Sequence, residues 1–521
     1  MRRRGSRHRS RPRHTAAAAS LAALEMSTPQ VDANVASWIL RHANERGSQL
    51  ALVDGERRLD YAGLEARVRR CAGVLASRGV GRGDRVALVL RNGIAYLELV
   101  LATARLGAIA TPLNARLTPR EIGGLLADCS PRLLVHDRET GISGDWELLD
   151  TRTYETAMSV ARSVDAIAAV RPEDPMLLMY TSGTTGRPKG ALLPHRKTLY
   201  NARNAEIFFG LTARDRVLVA LPLFHSFGLK ILALPTLYAG GRIVLERRFV
   251  AHEAWNTVDR EGISFFGGVP SMFRELLEAL GPERDLSSLR FLFTAGSAIP
   301  VELIRCFEAQ GLVMKQGFGQ TETSILYCLD AKDAVRKAGS VGLPVRHAEV
   351  RVVQRENIDG PPEAWRNVAP GETGEIVVRG PILMTGYWGR PEATAEVMRG
   401  QWLRTGDLAT LDEEGFATLV GRAHDMYISG GENVYPAEIE AVYEAHPSLR
   451  DVAVVGVPDE RWGEVGHAFC VLEAGAVLPS DALRRWGAER LADFKLPKRF
   501  IAVPELPRTE TGKVMKHALN R

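Results

Sequence analysis

Residues 176–190 read MLLMYTSGTTGRPKG. The apolar run 176–180 has the make-up of a buried strand, and the chain then breaks into a loop. Gly183, Gly186 and Gly190 allow a tight turn with backbone N–H groups facing inward. Thr181, Ser182, Thr184 and Thr185 add hydroxyls, and Lys189 adds a cation. Such a strand-then-cradle suits an oxyanion, above all a polyphosphate. It is not a Walker A loop, which needs Gly before the Lys and Ser or Thr after it. Here Pro188 precedes Lys189 and Gly190 follows.

Outward from this loop the chain alternates helical and strand-like stretches. Leu64, Val68, Cys71 and Leu75 have helical spacing, and 95–106 reads as a second helix. Short apolar runs at 85–90, 107–112, 132–136, 216–220, 242–245, 264–267 and 289–295 read as strands. That rhythm predicts parallel sheets covered by helices. After Gly339 it changes. Strand-like runs at 350–353, 374–379 and 416–420 predict a small β subdomain at about 340–421, with the Pro/Gly-rich insert 355–372 as a surface loop. Beyond Gly421 the pattern is α+β. A helix opens at Pro436, strands follow at 452–457 and 467–472, another helix opens at Asp481, and the C-terminus reads as a polar loop.

Composition bounds the function. The 521 residues are 45% hydrophobic and 25% charged, as in an ordinary globular protein of two or more domains. The net charge of +5 is set by seven arginines within the first 13 residues; the rest carries −2 and has no nucleic-acid footprint. Residues 1–25 are expected to be a disordered basic extension. A weak signal peptide, a transit peptide or a tail touching nucleic acid or anionic lipid are the other readings. No run of about 18 apolar residues occurs; the best, 86–110, is broken by Arg91, Glu98 and Arg105. Five scattered cysteines without a CxxC pair argue for free thiols in a reducing compartment, hence a cytoplasmic location.

Further motifs carry chemistry. In QGFGQTET, residues 316–323, Gly317 and Gly319 would let the backbone approach a flat ligand, and Phe318 offers an aromatic face. Glu322 supplies the hard oxygen that Mg²⁺ prefers. In TGD, residues 405–407, Asp407 on a glycine turn can accept both hydroxyl protons of a ribose. Gly430 and Gly431 before a Pro-initiated helix make a pliable loop. Taken singly, Glu322, His225 and Lys513 would read as solvated or capping side chains; their order along one chain is what gives them weight.

On these motifs, over about residues 35–521, the chain resembles the adenylate-forming superfamily of acyl-CoA synthetases, luciferases and adenylation domains. The resemblance implies an α/β fold: a large N-terminal domain of two helix-covered sheets with a small β-barrel, residues 26–424, and a small mobile α+β domain, residues 425–521. It implies that 180–190 closes over the β- and γ-phosphates of ATP. Gly296 and Ser297, with Gly317, Phe318, Gly319 and Thr321, would bind adenine and the α-phosphate region. Asp407 and Arg422 would hold the ribose, and Glu322 the metal. Asp425 matches the family hinge, Gly430 and Gly431 the loop walling the pantetheine tunnel, and Lys513 the catalytic lysine of adenylation. His225 matches the gate beside the acyl carboxylate, where relatives that activate amino acids tend to have Asp. The chain departs from the family with Phe318 for Tyr and His424 for Lys.

The implied activity is ATP-dependent carboxylate–CoA ligation with Mg²⁺, on a fatty or an aromatic, cinnamate- or benzoate-like acid. Phe208, Phe209, Phe227 and Phe266 could line the acyl slot or sit in the core. Competing readings are an acyl-AMP ligase loading a separate carrier protein, a luciferase-type oxygenase, and a nucleic-acid or membrane binder acting through the arginine tail. No nucleic-acid partner and no transmembrane segment are expected.

Overall fold

The computed structural model describes residues 34–137, 144, 146–181, 188–281, 284–296, 299–423, 425–429, 432–459, 462–491, 493–509, 512 and 514–519. Among these, four sheets form. The first has nine strands. Its parallel middle runs through Met314–Gln320, Phe291–Ala295, Phe265–Gly268, Arg216–Val219, Arg242–Leu245 and Leu50–Asp54. Both ends turn antiparallel, at Ser324–Leu329 and at Arg57–Asp60. The second sheet has seven strands, with a parallel middle of Pro175–Thr181, Ile109–Pro112, Arg85–Val89 and Leu133–His136. Lys189–Pro194 and the short strand Gly386–Tyr387 add an antiparallel edge. Every residue of Leu133–His136 and Ile109–Pro112 is buried, as helices on both faces require.

The helices follow their sequence signals. Asp60 caps Tyr61–Ser77 by accepting the Gly63 N–H at 2.7 Å, and Leu64, Val68, Cys71 and Leu75 form its buried stripe. Thr118 and Glu121 form a capping box on Pro119–Cys129. No helix of the described residues is long and apolar enough to cross a membrane.

Residues 349–422 build the third sheet, antiparallel, from Glu349–Val353, Gly374–Arg379, Trp402–Leu411, Met398–Arg399 and Ala417–Arg422. The insert 355–372 is the expected surface loop, largely exposed but held by an apolar anchor. Trp365 and Ile358 are both 4% exposed and pack on Val353, Val377 and Trp402, because one large aromatic gives the loop its own apolar anchor. In the fourth sheet Gly463–Leu472 pairs with Leu449–Asp459 on one side and Tyr427–Ser429 on the other. The Tyr427 side chain lies over the Gly456–Gly466 pair, where an added Cβ would come within 2.4 Å of its Cβ at Gly456 and of its hydroxyl at Gly466. The expected polar C-terminal loop also contains a strand, Arg499–Ala502, parallel to Gly463–Leu472. Its four residues alternate poorly in burial, which hid it in the sequence.

Candidate functional site

The site lies where the first two sheets meet. Thr181 and Lys189, which flank the glycine-rich segment, pair at the end of the antiparallel strands Pro175–Thr181 and Lys189–Pro194. Ser182, Gly183, Thr184, Thr185 and Gly186 lie outside the described residues. The Thr181 hydroxyl is 3.3 Å from the Lys189 carbonyl and 3.4 Å from a Glu322 carboxylate oxygen. The Lys189 ammonium stands 5.5 Å from the Tyr387 ring centroid and 3.9 Å from Glu396.

Glu322 sits on the turn joining Met314–Gln320 to Ser324–Leu329. Tyr387 donates its hydroxyl to Glu322 Oε1 at 2.9 Å. Burial, with the Glu322 charge beside it, pushes the Tyr387 phenol far up, so it stays a donor. The turn is tight. The Gln320 N–H donates to the Thr323 hydroxyl at 3.1 Å, and Ser324 adopts φ +65°, a left-handed conformation uncommon outside glycine. The glycines of this motif also have a packing role that the sequence reading did not give them. A Cβ on Gly319 would lie 1.8 Å from the Ser324 carbonyl oxygen, and one on Gly317 would lie 2.7 Å from the Phe293 ring. The protein's own packing therefore requires both glycines. Phe318 and Thr321 are partly exposed, with the Phe318 ring 6.5 Å from that of Tyr327.

Asp407 is buried and follows Gly406, which has φ +69°. It pairs in register with Arg422, whose Nε lies 2.9 Å from Asp407 Oδ1, while the Gln320 side-chain amide donates to Oδ2. Gln320 also donates to the Thr405 carbonyl at 2.8 Å. This amide joins the Glu322 turn to the Asp407 strand. Gly296, with φ +93°, ends the strand Phe291–Ala295 and is exposed; Ser297 lies outside the described residues. Asp425 stands between the third and fourth sheets, its N–H donating to the Arg422 carbonyl at 3.1 Å. His424, Gly430, Gly431 and Lys513 lie outside the described residues.

His225 is partly exposed and immediately precedes a π-helix, Phe227–Ala233. Its Nδ1 accepts the Phe227 N–H at 3.3 Å, and burial lowers its pKa to about 4. The ring is therefore neutral near pH 7 with its proton on Nε2. Of the four phenylalanines, Phe208, Phe209 and Phe227 surround Phe293 at 6.1, 4.7 and 5.5 Å between ring centroids. Phe266 does not join them. It packs on Trp255 and Phe273 on the other side of its strand, because alternate strand residues face opposite ways.

Among the described residues no group of three or more His, Cys, Asp or Glu could hold a metal. One carboxylate, Glu322, fits Mg²⁺ that takes its other oxygens from phosphates and water. Four participants escaped the sequence reading: Tyr387, Gln320, Lys197 and Lys230. The last two are fully buried, and burial pushes both ammonium groups down, Lys230 to about 7. A separate cleft of about 630 Å³ is lined by Arg91, Arg116, Arg247 and Arg248.

Comparison with known proteins shows the family. Residues 39–388 match the family model "AMP-binding enzyme", and residues 438–513 match "AMP-binding enzyme C-terminal domain". The chain is 40% identical over 496 residues to a feruloyl-CoA synthase of an Amycolatopsis species, covering 93% of this chain and 98% of that one. It is 39% identical over 502 residues to an indoleacetate–CoA ligase of Aromatoleum aromaticum, covering 92% and 96%. The structure of o-succinylbenzoate coenzyme A synthetase from Bacillus subtilis, in complex with ATP and magnesium ion, superposes with a TM-score of 0.84 at 31% identity, covering 93% and 99%. By sequence over nearly its whole length and by fold, the chain belongs to the AMP-binding enzyme family.

Proposed function

We propose that the chain is an ATP-dependent acid–CoA ligase acting on an aromatic carboxylic acid. A carboxylate oxygen attacks the α-phosphorus of ATP, the bond to the β-phosphate oxygen breaks, and pyrophosphate leaves. The CoA sulfur then attacks the acyl carbon of acyl-AMP, the bond to the phosphate oxygen breaks, and AMP leaves. The observation that carries the reading is the convergence of three motifs on one point. Thr181 at the strand end, Glu322 on its turn, and Asp407 with Arg422 are linked through Tyr387 and Gln320. In this assignment residues 181–189 hold the phosphates. Gly296, Ser297, Gly317, Phe318, Gly319 and Thr321 border the adenine, and Asp407 and Arg422 hold the ribose. Glu322 would hold Mg²⁺, which when bound neutralises charge on the phosphates.

The neutral Nε2–H of His225 donates to the acid's carboxylate and supports a substrate without an α-ammonium. The aromatic rings of Phe208, Phe227 and Phe293, and the aryl acids in the names of the two relatives above, support an aryl substrate. The four-arginine cleft suits the phosphates of CoA. The domains are taken as residues 26–424 and 425–521, alternating about Asp425. Five free cysteines support work in the cytoplasm.

The test is acid-dependent ATP–pyrophosphate exchange over cinnamates, benzoates, indole acids, fatty acids and amino acids, followed by CoA-dependent AMP release. An aryl acid should lead. An amino acid driving exchange better than every aryl and fatty acid would contradict the proposal. Exchange without CoA-dependent release would favour a carrier protein as acceptor.

A further inference from the structure

The first turn of the helix His195–Phe209 carries a charge that the chemistry above does not use. The Lys197 ammonium is fully buried and donates to three acceptors: the Glu322 carbonyl at 3.0 Å, the Ser324 hydroxyl at 2.9 Å and the Ile382 carbonyl at 2.5 Å. The Glu322 carbonyl also accepts the Met384 N–H at 2.9 Å. The neighbouring Arg196 donates to the Pro381 and Leu383 carbonyls at 2.7 and 3.1 Å. One helix turn thus fastens the Glu322 turn to residues 381–384. Three residues further on, Tyr387 places its hydroxyl on the Glu322 carboxylate.

Two features make this more than packing. Neither Lys197 nor Lys230, which reaches the same Ser324 hydroxyl at 3.3 Å, forms a salt bridge among the described residues. Taking an amine out of water is costly, and an apolar side chain would be the cheaper filling. Ser324 also keeps its left-handed conformation at the point the ammonium grips, and such a conformation persists only where its surroundings over-determine it. An ammonium on a long stem satisfies acceptors from two separate segments at once.

We propose that Lys197 is a positioning residue for Glu322. It fixes the backbone of the turn so that the carboxylate faces Thr181, and it holds residues 381–387 so that Tyr387 stays on that carboxylate. The inference rests on the reading that Glu322 serves MgATP.

The experiment uses the full chain with Lys197→Met, which keeps the stem and removes the donors. In the ligand-free protein, amide hydrogen exchange over 320–324 and 381–387 should quicken about tenfold while Tm stays within a few degrees. Calorimetric titration with MgATP, in the absence of any acid, should show Kd weakened about tenfold, within the range seen when groups supporting a metal ligand are lost. Pyrophosphate exchange should fall about 30-fold, and thioester formation from supplied acyl-AMP and CoA should stay within about twofold. Arg196→Met, which loosens only the 381–384 side, should quicken exchange there about threefold. Unchanged protection and unchanged MgATP affinity in Lys197→Met overturn the assignment. So does a large fall in Tm with both half-reactions lost together, which marks a structural residue. Should Lys197→Met not fold, unchanged protection at 381–387 in Arg196→Met overturns it. A wild type that binds MgATP but exchanges pyrophosphate with no acid removes the ligase reading alone, because the hydrogen exchange and the titration still decide Lys197.

Discussion

His225 shows how a single residue ties stability to the site. Its ring is neutral in the fold because burial lowers its pKa to about 4, against an ordinary value of 6.5. Between those values the unfolded chain takes up a proton that the folded chain refuses. The neutral ring's contribution is therefore complete above about pH 6.5 and is lost as pH falls toward 4. Other histidines are lowered too, His42, His347, His446 and His467 among them, so the test is a difference. Wild-type Tm should fall more steeply than that of His225→Gln between pH 6.5 and 4.5, and parallel curves would contradict the burial argument. Individual residues were unevenly legible. Glu322, Asp407 and Arg422 stood out because glycines and hydroxyls surround them in short strings. Lys197 did not, because a lysine in a helical stretch reads as a solvated face, and only the fold brings Ile382 and Glu322 to its tip. Tyr387 was hidden for the same reason: its partner is 65 residues away.

Elements were legible where burial is regular. The strands Arg242–Leu245 and Gly374–Arg379 match the ranges expected from sequence, because apolar runs bounded by charge and glycine leave little freedom of register. The insert 355–372 was legible as a surface loop because Pro and Gly dominate its composition, but its anchor was not, because a single tryptophan fixes its place. The packing that requires the glycines of the second motif was not legible in their spacing, and it can be measured. Gly319→Ala would press a Cβ to 1.8 Å from the Ser324 carbonyl, and backbone cannot yield as a side-chain tip does. The loss should be about 2–3 kcal/mol, seen as a Tm lower by several degrees, with MgATP binding weakened because the Glu322 turn moves. Gly123→Ala is the contrast. It lies in the helix Pro119–Cys129 with nothing within 4 Å of an added Cβ, so it should stabilise by about 0.5–1 kcal/mol. Equal Tm values for the two variants would show that steric contact at Gly319 does not control the turn.

At the scale of the molecule the question is how one chain serves two reactions in turn. The residues flanking Lys513 are firmly attached to the fourth sheet: Arg508 hydrogen-bonds Asp451, and Lys516 lies 2.7 Å from Glu440, which also accepts the Val454 N–H at 2.6 Å. Under the proposed alternation about Asp425, Lys513 and Gly430–Gly431 would serve the two half-reactions in turn. If Lys513 meets charge growing on the α-phosphate and the departing pyrophosphate, its loss removes one preorganised stabiliser. That typically costs about 3–4 kcal/mol, or about 10²–10³ in rate. Lys513→Ala should slow acyl-AMP formation by that factor and leave thioester formation from supplied acyl-AMP and CoA near wild type. Gly431→Trp should do the reverse, since an indole in the pantetheine path blocks the thiol while the ATP site is untouched. The two half-reactions, timed separately by quenched flow in both variants, decide the matter. An equal fall of both in Lys513→Ala would make that lysine a structural residue and leave alternation about Asp425 without support.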